Sequence, residues 1–332
     1  MSDVSKLNKP WALMPRLSRS QNKKISLWAA SIILPLFGIL VFLALWALAA
    51  QKIDTSLGKF PGPIAVVSQF SALYGEHQAE RVKADAFYLR QDKRNAERLV
   101  KDPNYVVKIR NYTGKESFLD QIVTSLITVM SGFFVAAILA IPLGIAIGLN
   151  KPLNMAFNPI IQIFKPVSPL AWLPLVTMVV SAVYVSDDPL VSKAFLNSMI
   201  TVSLCSIWPM VINTAIGVST IEQDLKNVSR VLRLSTYMHI KKIVLPSSIP
   251  MIFTGMRLSL GVAWMVLIAA EMLAQSPGLG KFVWDEFQNG SSESLARIMA
   301  AVIVIGFIGF LLDKGMLKLQ QLVSWDKAKG IT

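Results

Sequence analysis

Three ionisable side chains, Lys165, Arg257 and Glu271, sit inside long apolar runs of this chain. Such a group costs about 2.5 to 3.5 kcal/mol at the centre of a bilayer on insertion scales, so it normally faces protein or a water-filled path. Lys165 has Gln162 and Ser168 beside it and Trp172 just beyond, within NPIIQIFKPVSPLAWLPLV. The prolines at 159, 166, 169 and 174 each remove a backbone N–H, so a helix must break or bend there. Carbonyls freed in this way are tolerated at membrane depth only where they are buried in protein or line water. Gln162, Lys165, Ser168, Trp172, Arg257 and Glu271 are therefore the candidate lining of a translocation path. A competing reading has Lys165 snorkel to the inner surface, and makes Arg257 a structural tie near the end of its run. Arg257 and Glu271 are about 21 Å apart along a straight helix and cannot pair with each other. If they line a route, Lys165 and Arg257 favour an anion.

These residues need spans to hold them. The 332 residues are 53% hydrophobic and 16% charged, with a mean hydropathy of +0.52. The uncharged run Leu27 to Ala50 exceeds a hydrocarbon core of roughly 30 Å. It ends in Ala47-Leu48-Ala49, the small-x-small form of a cleavage site, but is much longer than a signal's apolar region, so a retained helix is expected. Five further runs follow at about 119–149, 156–185, 195–218, 250–275 and 295–317. The result is an all-α polytopic protein of about six spans. Lys and Arg concentrate in the segments that share a side with the N-terminus, which puts both termini in the cytoplasm.

The expected organisation is a cytoplasmic segment 1–26, a first span 27–50, a periplasmic segment 51–118, a five-helix core 119–318 containing a cytoplasmic loop 219–249, and a cytoplasmic tail 319–332. The outer segment carries twelve Lys/Arg against eight Asp/Glu, but charge loses its topogenic force beyond about 60 residues. Within it, Ala79 to Lys101 reads as an amphipathic helix with Val82, Ala86 and Leu89 on one face, ended by Pro103. That helix is either a solvated excursion or a docking face. Gly144 and Gly148 have the G-x-x-x-G spacing that lets a second helix approach closely.

Other chemistry is excluded. Cys205 is the sole cysteine, so no intrachain disulfide can form. His77 and His239 lie in different polar segments, without the company that a metal or catalytic site needs. No phosphate-binding G-x-x-x-x-G-K-[ST] occurs. No cofactor is expected on this chain, and no nucleic acid as partner.

The loop 219–249 is basic, with Arg230, Arg233, Lys241 and Lys242, between two apolar runs. Ser219-Thr-Ile-Glu222 has the capping-box form, with Ser219 as N-cap. Ile221, Leu225, Val228 and Leu232 then make one apolar stripe. A break at Arg233-Leu234-Ser235-Thr236 precedes a second short helix through Lys242, capped by Ser235 or Thr236, and Pro246 and Pro250 set the entry to the next span. Composition leaves two readings open: a hairpin on anionic lipid, or a plug for the groove of a cytosolic partner.

The spacing of this loop resembles the cytoplasmic loop of binding-protein-dependent ABC importer permeases: E-A-A, three residues, G, nine residues, I, one residue, L-P. Those slots hold Asn227-Val228-Ser229, Arg233, Ile243 and Leu245-Pro246. Every spacing is met, while Glu, Ala, Ala and Gly are replaced by Asn, Val, Ser and Arg. Arginine lacks the φ freedom of glycine, so the loop is expected either to bend differently or to use Arg233 as an ATPase contact. FPGPIAVV, KPVSPLAWLPLVTM, SPGLGKFVW and IGFIGFLLDKGMLKLQQLVSW are similar to segments of the nitrate, sulfonate and bicarbonate branch. The resemblance is strongest to the membrane subunits of cyanobacterial nitrate transporters, and the insert at about 77–116 leans the same way.

This resemblance implies an ABC type I importer permease fold in a bacterial inner membrane. The implied partners are a second permease copy, two cytosolic ATP-binding subunits that carry ATP and Mg, and an extracytoplasmic substrate-binding protein. The cargo is then a small inorganic anion, nitrate ahead of nitrite, with bicarbonate or a sulfonate such as taurine as the alternative. Asn227, Val228, Ser229, Arg230, Leu232, Arg233, Leu234, Tyr237, Met238, Ile243, Leu245 and Pro246 become the ATPase-coupling loop. An ion-coupled secondary transporter is the alternative, since broken helices and buried charges also serve that class. No convincing repeat relates the two halves.

Overall fold

The computed structural model describes residues 19–55, 58–102, 104–185, 191–291 and 293–323. Residues 1–18 of the expected N-terminal segment, Pro103, and residues 324–332 of the expected tail lie outside the described residues. The chain divides into two units, residues 1–64 and 65–332.

In the first unit, α1 (Arg19–Lys52) continues through Pro35. Leu34, Phe37 and Leu40 are exposed, as suits a helix surrounded by lipid tails. A two-residue hairpin of β1 (Asp54–Thr55) and β2 (Gly58–Lys59) follows. Trp46 Nε1 then donates to the Pro61 carbonyl at 3.1 Å.

The second unit opens with α2 (Pro63–Lys101), which starts well before the expected residue 79. Pro63 suits a first helical position, where no N–H is needed. The expected face does not pack against this chain: Val82, Ala86 and Leu89 are exposed, and Val66, Leu73 and Gln91 are buried instead. The segment after α2 returns along it. Gln91 Oε1 accepts from Arg110 N at 2.8 Å, Asn95 Nδ2 donates to Lys108 O at 3.1 Å, and Tyr112 OH donates to Glu80 Oε2 at 3.1 Å. Together they form a strut that leads to Ser117, which caps α3 (Phe118–Leu149) in a reciprocal box with Asp120.

After α3 come α4 (Lys151–Phe164), α5 (Pro169–Val183), α6 (Lys193–Ser219), α7 (Gln223–Val231), α8 (Thr236–His239), a π-helical turn Ile240–Val244, α9 (Leu245–Ala274), α10 (Leu279–Asn289) and α11 (Ser294–Val323). By length and composition α1, α3, α6, the stretch Thr236–Ala274 and α11 can each cross a membrane. The expected third span is instead two helices bent by 100°. Pro166 cannot donate to α4, and Pro169 starts α5 behind its cap, Ser168. If α4 and α5 count as one bent span, the total is six.

The centre of this unit is α6, packed against both α3 and α9. Lipid gives no hydrophobic drive between helices, so close approach must supply the attraction. A Cβ at Gly144 would fall 2.6 Å from Thr214 Cβ, and one at Gly148 would fall 2.6 Å from Val218 Cβ. Both glycines are thus points of close approach of α3 to α6, as is Gly132, where a Cβ would fall 2.7 Å from Val202 Cγ1. Phe133, Ala140, Met210, Val211 and Leu260 fill the interface between the three helices.

Candidate coupling loop and polar groups within the spans

The expected capping box does not form. Helix α6 runs through Ser219, whose hydroxyl donates to Ile216 O at 3.0 Å, and Thr220 Oγ1 donates to the same carbonyl at 2.9 Å. Both hydroxyls are engaged at the end of α6, so α7 starts at Gln223 with Glu222 as an N-cap that makes no side-chain bond. Of the expected stripe, Ile221 is buried with Val218, Ile243 and Val244, while Leu225, Val228 and Leu232 are exposed. Asn227 and Arg230 are also exposed. Val231, which the stripe omits, is the most open of the group at 81%.

The turn after α7 is the most informative feature. Arg233 has φ 47°, its N–H donates to Arg230 O at 3.1 Å, and Leu234 N–H donates to Ser229 O at 3.1 Å. These two bonds and a left-handed residue between them make a Schellman-type C-terminus, where glycine is the usual choice. The expectation that an arginine bends the loop differently is corrected: Arg233 takes the left-handed conformation itself, at roughly 1 to 2 kcal/mol. Leu234 then packs on the Val218 cluster, the apolar contact that accompanies this motif.

Ser235 caps α8, accepting from Met238 N at 3.4 Å. The second short helix does not run to Lys242 and stop. It ends at His239, and the π-helical turn carries the backbone directly into α9. A π turn accommodates an extra residue, next to Leu245 and Pro246, the latter lacking an N–H for the ladder. Tyr237 is exposed, with Lys241 Nζ 5.7 Å from its ring centre, and Met238 is half-buried. Sequence reading left His239 without company. Its Nδ1 lies 2.8 Å from Ser229 Oγ and ties α8 to α7. The loop is therefore a small knob, anchored at its base by Ile221, Ile243 and Val244, with Val228, Val231, Leu232 and Tyr237 open at its tip.

The six candidate path residues fall in three places. Gln162, Lys165, Ser168 and Trp172 gather at the α4–α5 corner, where the first three are exposed. Phe164 stacks on Trp172 at 5.8 Å and on Trp208 at 6.1 Å. The indole nitrogens of Trp172 and Trp208 are buried, with no hydrogen-bond partner among the described residues.

Arg257 is paired across α9 and α11 with Asp313, through Nε to Oδ1 and through Nη2 to Oδ2 at 2.8 Å. Sequence reading missed Asp313; the available signal was an opposite charge inside another span. Glu271 is 1% exposed and holds a different junction. Ser125 Oγ donates to it at 2.8 Å, Gly280 N donates to Oε2 at 2.9 Å, and Leu279 N reaches Ser125 Oγ at 2.9 Å. The carboxyl group thus accepts from one amide in the first turn of α10, that of Gly280, and the Leu279 amide is held through Ser125.

Residues 140–321 match the family described as the binding-protein-dependent transport system inner membrane component. The bicarbonate transport system permease protein CmpB of Synechococcus elongatus is 33% identical over 291 residues, 87% of this chain and 88% of that protein. The nitrate import permease protein NrtB of Synechocystis is 38% identical over 203 residues, 61% of this chain and 69% of its own. The taurine transport system permease protein TauC of Escherichia coli is 31% identical over 226 residues, 66% and 76% of the two chains. Among solved structures, the inward-facing MetNI methionine ABC transporter aligns with a TM-score of 0.52 at 15% identity, over 62% of this chain and 95% of that one. That last likeness concerns the fold alone. The chain belongs to the binding-protein-dependent transport system inner membrane component family, within its nitrate, bicarbonate and sulfonate permease branch.

Proposed function

We propose that this chain is the membrane subunit of an importer that carries nitrate into a bacterial cell, with a second copy of itself, two ATP-binding subunits and an outer binding protein. The observation that carries the reading is the knob at 219–249. A rigid base and an open apolar tip with Arg230, Arg233, Lys241 and Lys242 around it suit insertion into a groove of a cytosolic partner. Closure of the partner on ATP then pulls on Ile243 and Val244, which are continuous with α9 through the π-helical turn. Both expected termini lie on the same side as the knob in this reading.

For the path, the α4–α5 corner is the strongest candidate. Lys165 supplies a charge that makes no ion pair among the described residues, and Trp172 and Trp208 supply two indole N–H donors that lack an acceptor among them. Arg257 is matched by Asp313 and Glu271 by the start of α10, so both serve the scaffold in this proposal. Identity of 38% to the nitrate permease supports nitrate as cargo. One observation favours bicarbonate instead: the bicarbonate permease aligns over 87% of this chain, against 61% for the nitrate relative.

The test is uptake of labelled nitrate into proteoliposomes holding this chain with its ATPase and binding protein, with bicarbonate and taurine as competitors. ATP-dependent uptake that resists both competitors is the expected result. Block by bicarbonate moves the cargo to the second reading. Uptake driven by an ion gradient without ATP overturns the proposal.

A further inference from the structure

We infer that the far end of the strut carries a binding pocket for a phosphate-like oxyanion, distinct from any transport path. A cavity of about 340 Å³ lies between the last turns of α2 and the returning segment. Arg94, Arg98, Lys108 and Arg110 line it, and no carboxylate does. Arg94 and Arg98 are one helical turn apart, a spacing at which like charges repel. The return segment adds two more cations to the same space.

Neutral groups hold this arrangement in place. Gln91 is only 8% exposed and its amide oxygen accepts from Arg110 N. Asn95 holds the Lys108 carbonyl, and Arg98 Nη1 donates to Tyr105 OH at 3.0 Å. Among the described residues none of the four cations is ion-paired. Nearer the base of the same strut, Arg81 pairs with Asp120 and Lys83 with Glu80. Four cations that line one cavity with no carboxylate in its lining are stabilised by an anion that enters it. Guanidinium forks fit an oxyanion in bidentate fashion, and the lysine adds a point charge. The ligand is a compact group with at least two charged oxygens, either free phosphate or the headgroup of an anionic lipid.

The experiment uses the full permease in nanodiscs. In phosphatidylcholine discs, phosphate is titrated against chloride at constant ionic strength, read by calorimetry and by the thermal unfolding midpoint. A second set of discs contains phosphatidylglycerol and no free phosphate. The Arg94→Gln/Arg110→Gln variant is compared in both, with circular dichroism as a check on its fold. Saturable phosphate binding that the variant weakens by roughly tenfold or more identifies a soluble ligand. A phosphatidylglycerol stabilisation lost in the variant identifies a lipid. An equal response in wild type and variant, or one reproduced by chloride, overturns the inference. So does a variant that loses only affinity for the purified binding protein, which would make the pocket a protein contact. If the variant is misfolded, Arg94→Lys/Arg110→Lys keeps the charge but not the forks: it must bind phosphate more weakly than wild type yet still in preference to chloride, and affinity equal to wild type overturns the inference.

Discussion

Ser229 Oγ and His239 Nδ1 lie 2.8 Å apart and close the knob at 219–249 across ten residues of chain. Ser229 is 7% exposed and occupies a slot where the family pattern has alanine. Helix α8 is four residues long, far too short to persist alone, so this bond and the Arg233 turn determine where it sits. Ser229→Ala leaves a half-buried ring nitrogen without its partner, at about 1 kcal/mol. The expected outcome is less ATPase retained on co-purification and less uptake per ATP hydrolysed. An unchanged ratio of uptake to hydrolysis removes the bond from coupling.

Arg233→Gly tests the left-handed turn. Glycine adopts φ 47° without a Cβ clash, while its greater freedom in the unfolded chain offsets part of that gain. A net stabilisation of roughly 0.5 to 1 kcal/mol is expected, seen as a rise of about 1 to 3 °C in the unfolding midpoint. Arg233→Ala keeps the Cβ and should gain nothing. If both variants shift the midpoint equally, the benefit comes from removing charge and the backbone argument fails.

Lys165→Ala tests the corner of α4 and α5. The side chain is exposed and makes no ion pair among the described residues, so assembly and basal ATP hydrolysis should survive. Uptake should fall severalfold. Uptake at the wild-type rate excludes Lys165 from the path.

Much of this architecture was legible because long apolar runs and prolines act locally. The runs located the spans, and Pro166 and Pro169 announced the bend. Ser235 was readable as a cap. Gly144 and Gly148 announced the approach of α3 to α6. What stayed hidden was pairing at long range. Asp313 finds Arg257 from 56 residues away and Ser125 finds Glu271 from 146 away, and no local pattern encodes either. The capping box failed for a different reason. Ser219 and Thr220 had a nearer acceptor in the Ile216 carbonyl, and the local competition was won by the helix already formed.

Gly280→Ala tests the junction of α3, α9 and α10. A Cβ there would fall 2.8 Å from Glu271 Cβ and 2.9 Å from Met272 N, in a place where backbone rather than a flexible chain end must yield. The start of α10 has to move off the carboxylate. Overpacking costs typically 1 to 3 kcal/mol, and a buried carboxylate that loses a donor adds to it. The expected result is a clear fall in the unfolding midpoint together with impaired uptake. A variant as stable as wild type would show that α10 docks by other contacts. Glu271→Gln, which keeps the shape and one acceptor, should be milder than Gly280→Ala.

Arg297 fastens the strut to the core. Its Nη1 and Nη2 reach Glu76 Oε1 and Oε2 at 2.6 and 2.9 Å, and its Nε lies 2.7 Å from Glu286 Oε1. The side chain of Arg297 is only 12% exposed, so the fork is partly shielded from solvent. The hydrogen bonds from Arg297 hold the Glu76 carboxyl below its ordinary value of 4.5, with burial opposing them. A carboxylate lowered in the folded state stabilises that state above the unfolded pKa and loses the contribution as pH falls through the folded one. The contact of the strut should therefore be intact at pH 7, begin to weaken below about 4.5, and fade further in acid. Hydrogen–deuterium exchange across residues 66–78 measures it directly, and faster exchange at pH 4 than at pH 7, after correction for the intrinsic rate, is expected. Glu76→Gln keeps the shape but not the charge, so its exchange should be raised at pH 7 and change little on acidification. Identical pH dependence in both proteins would assign the loosening to other carboxylates along the strut, such as Glu80, which Lys83 holds low.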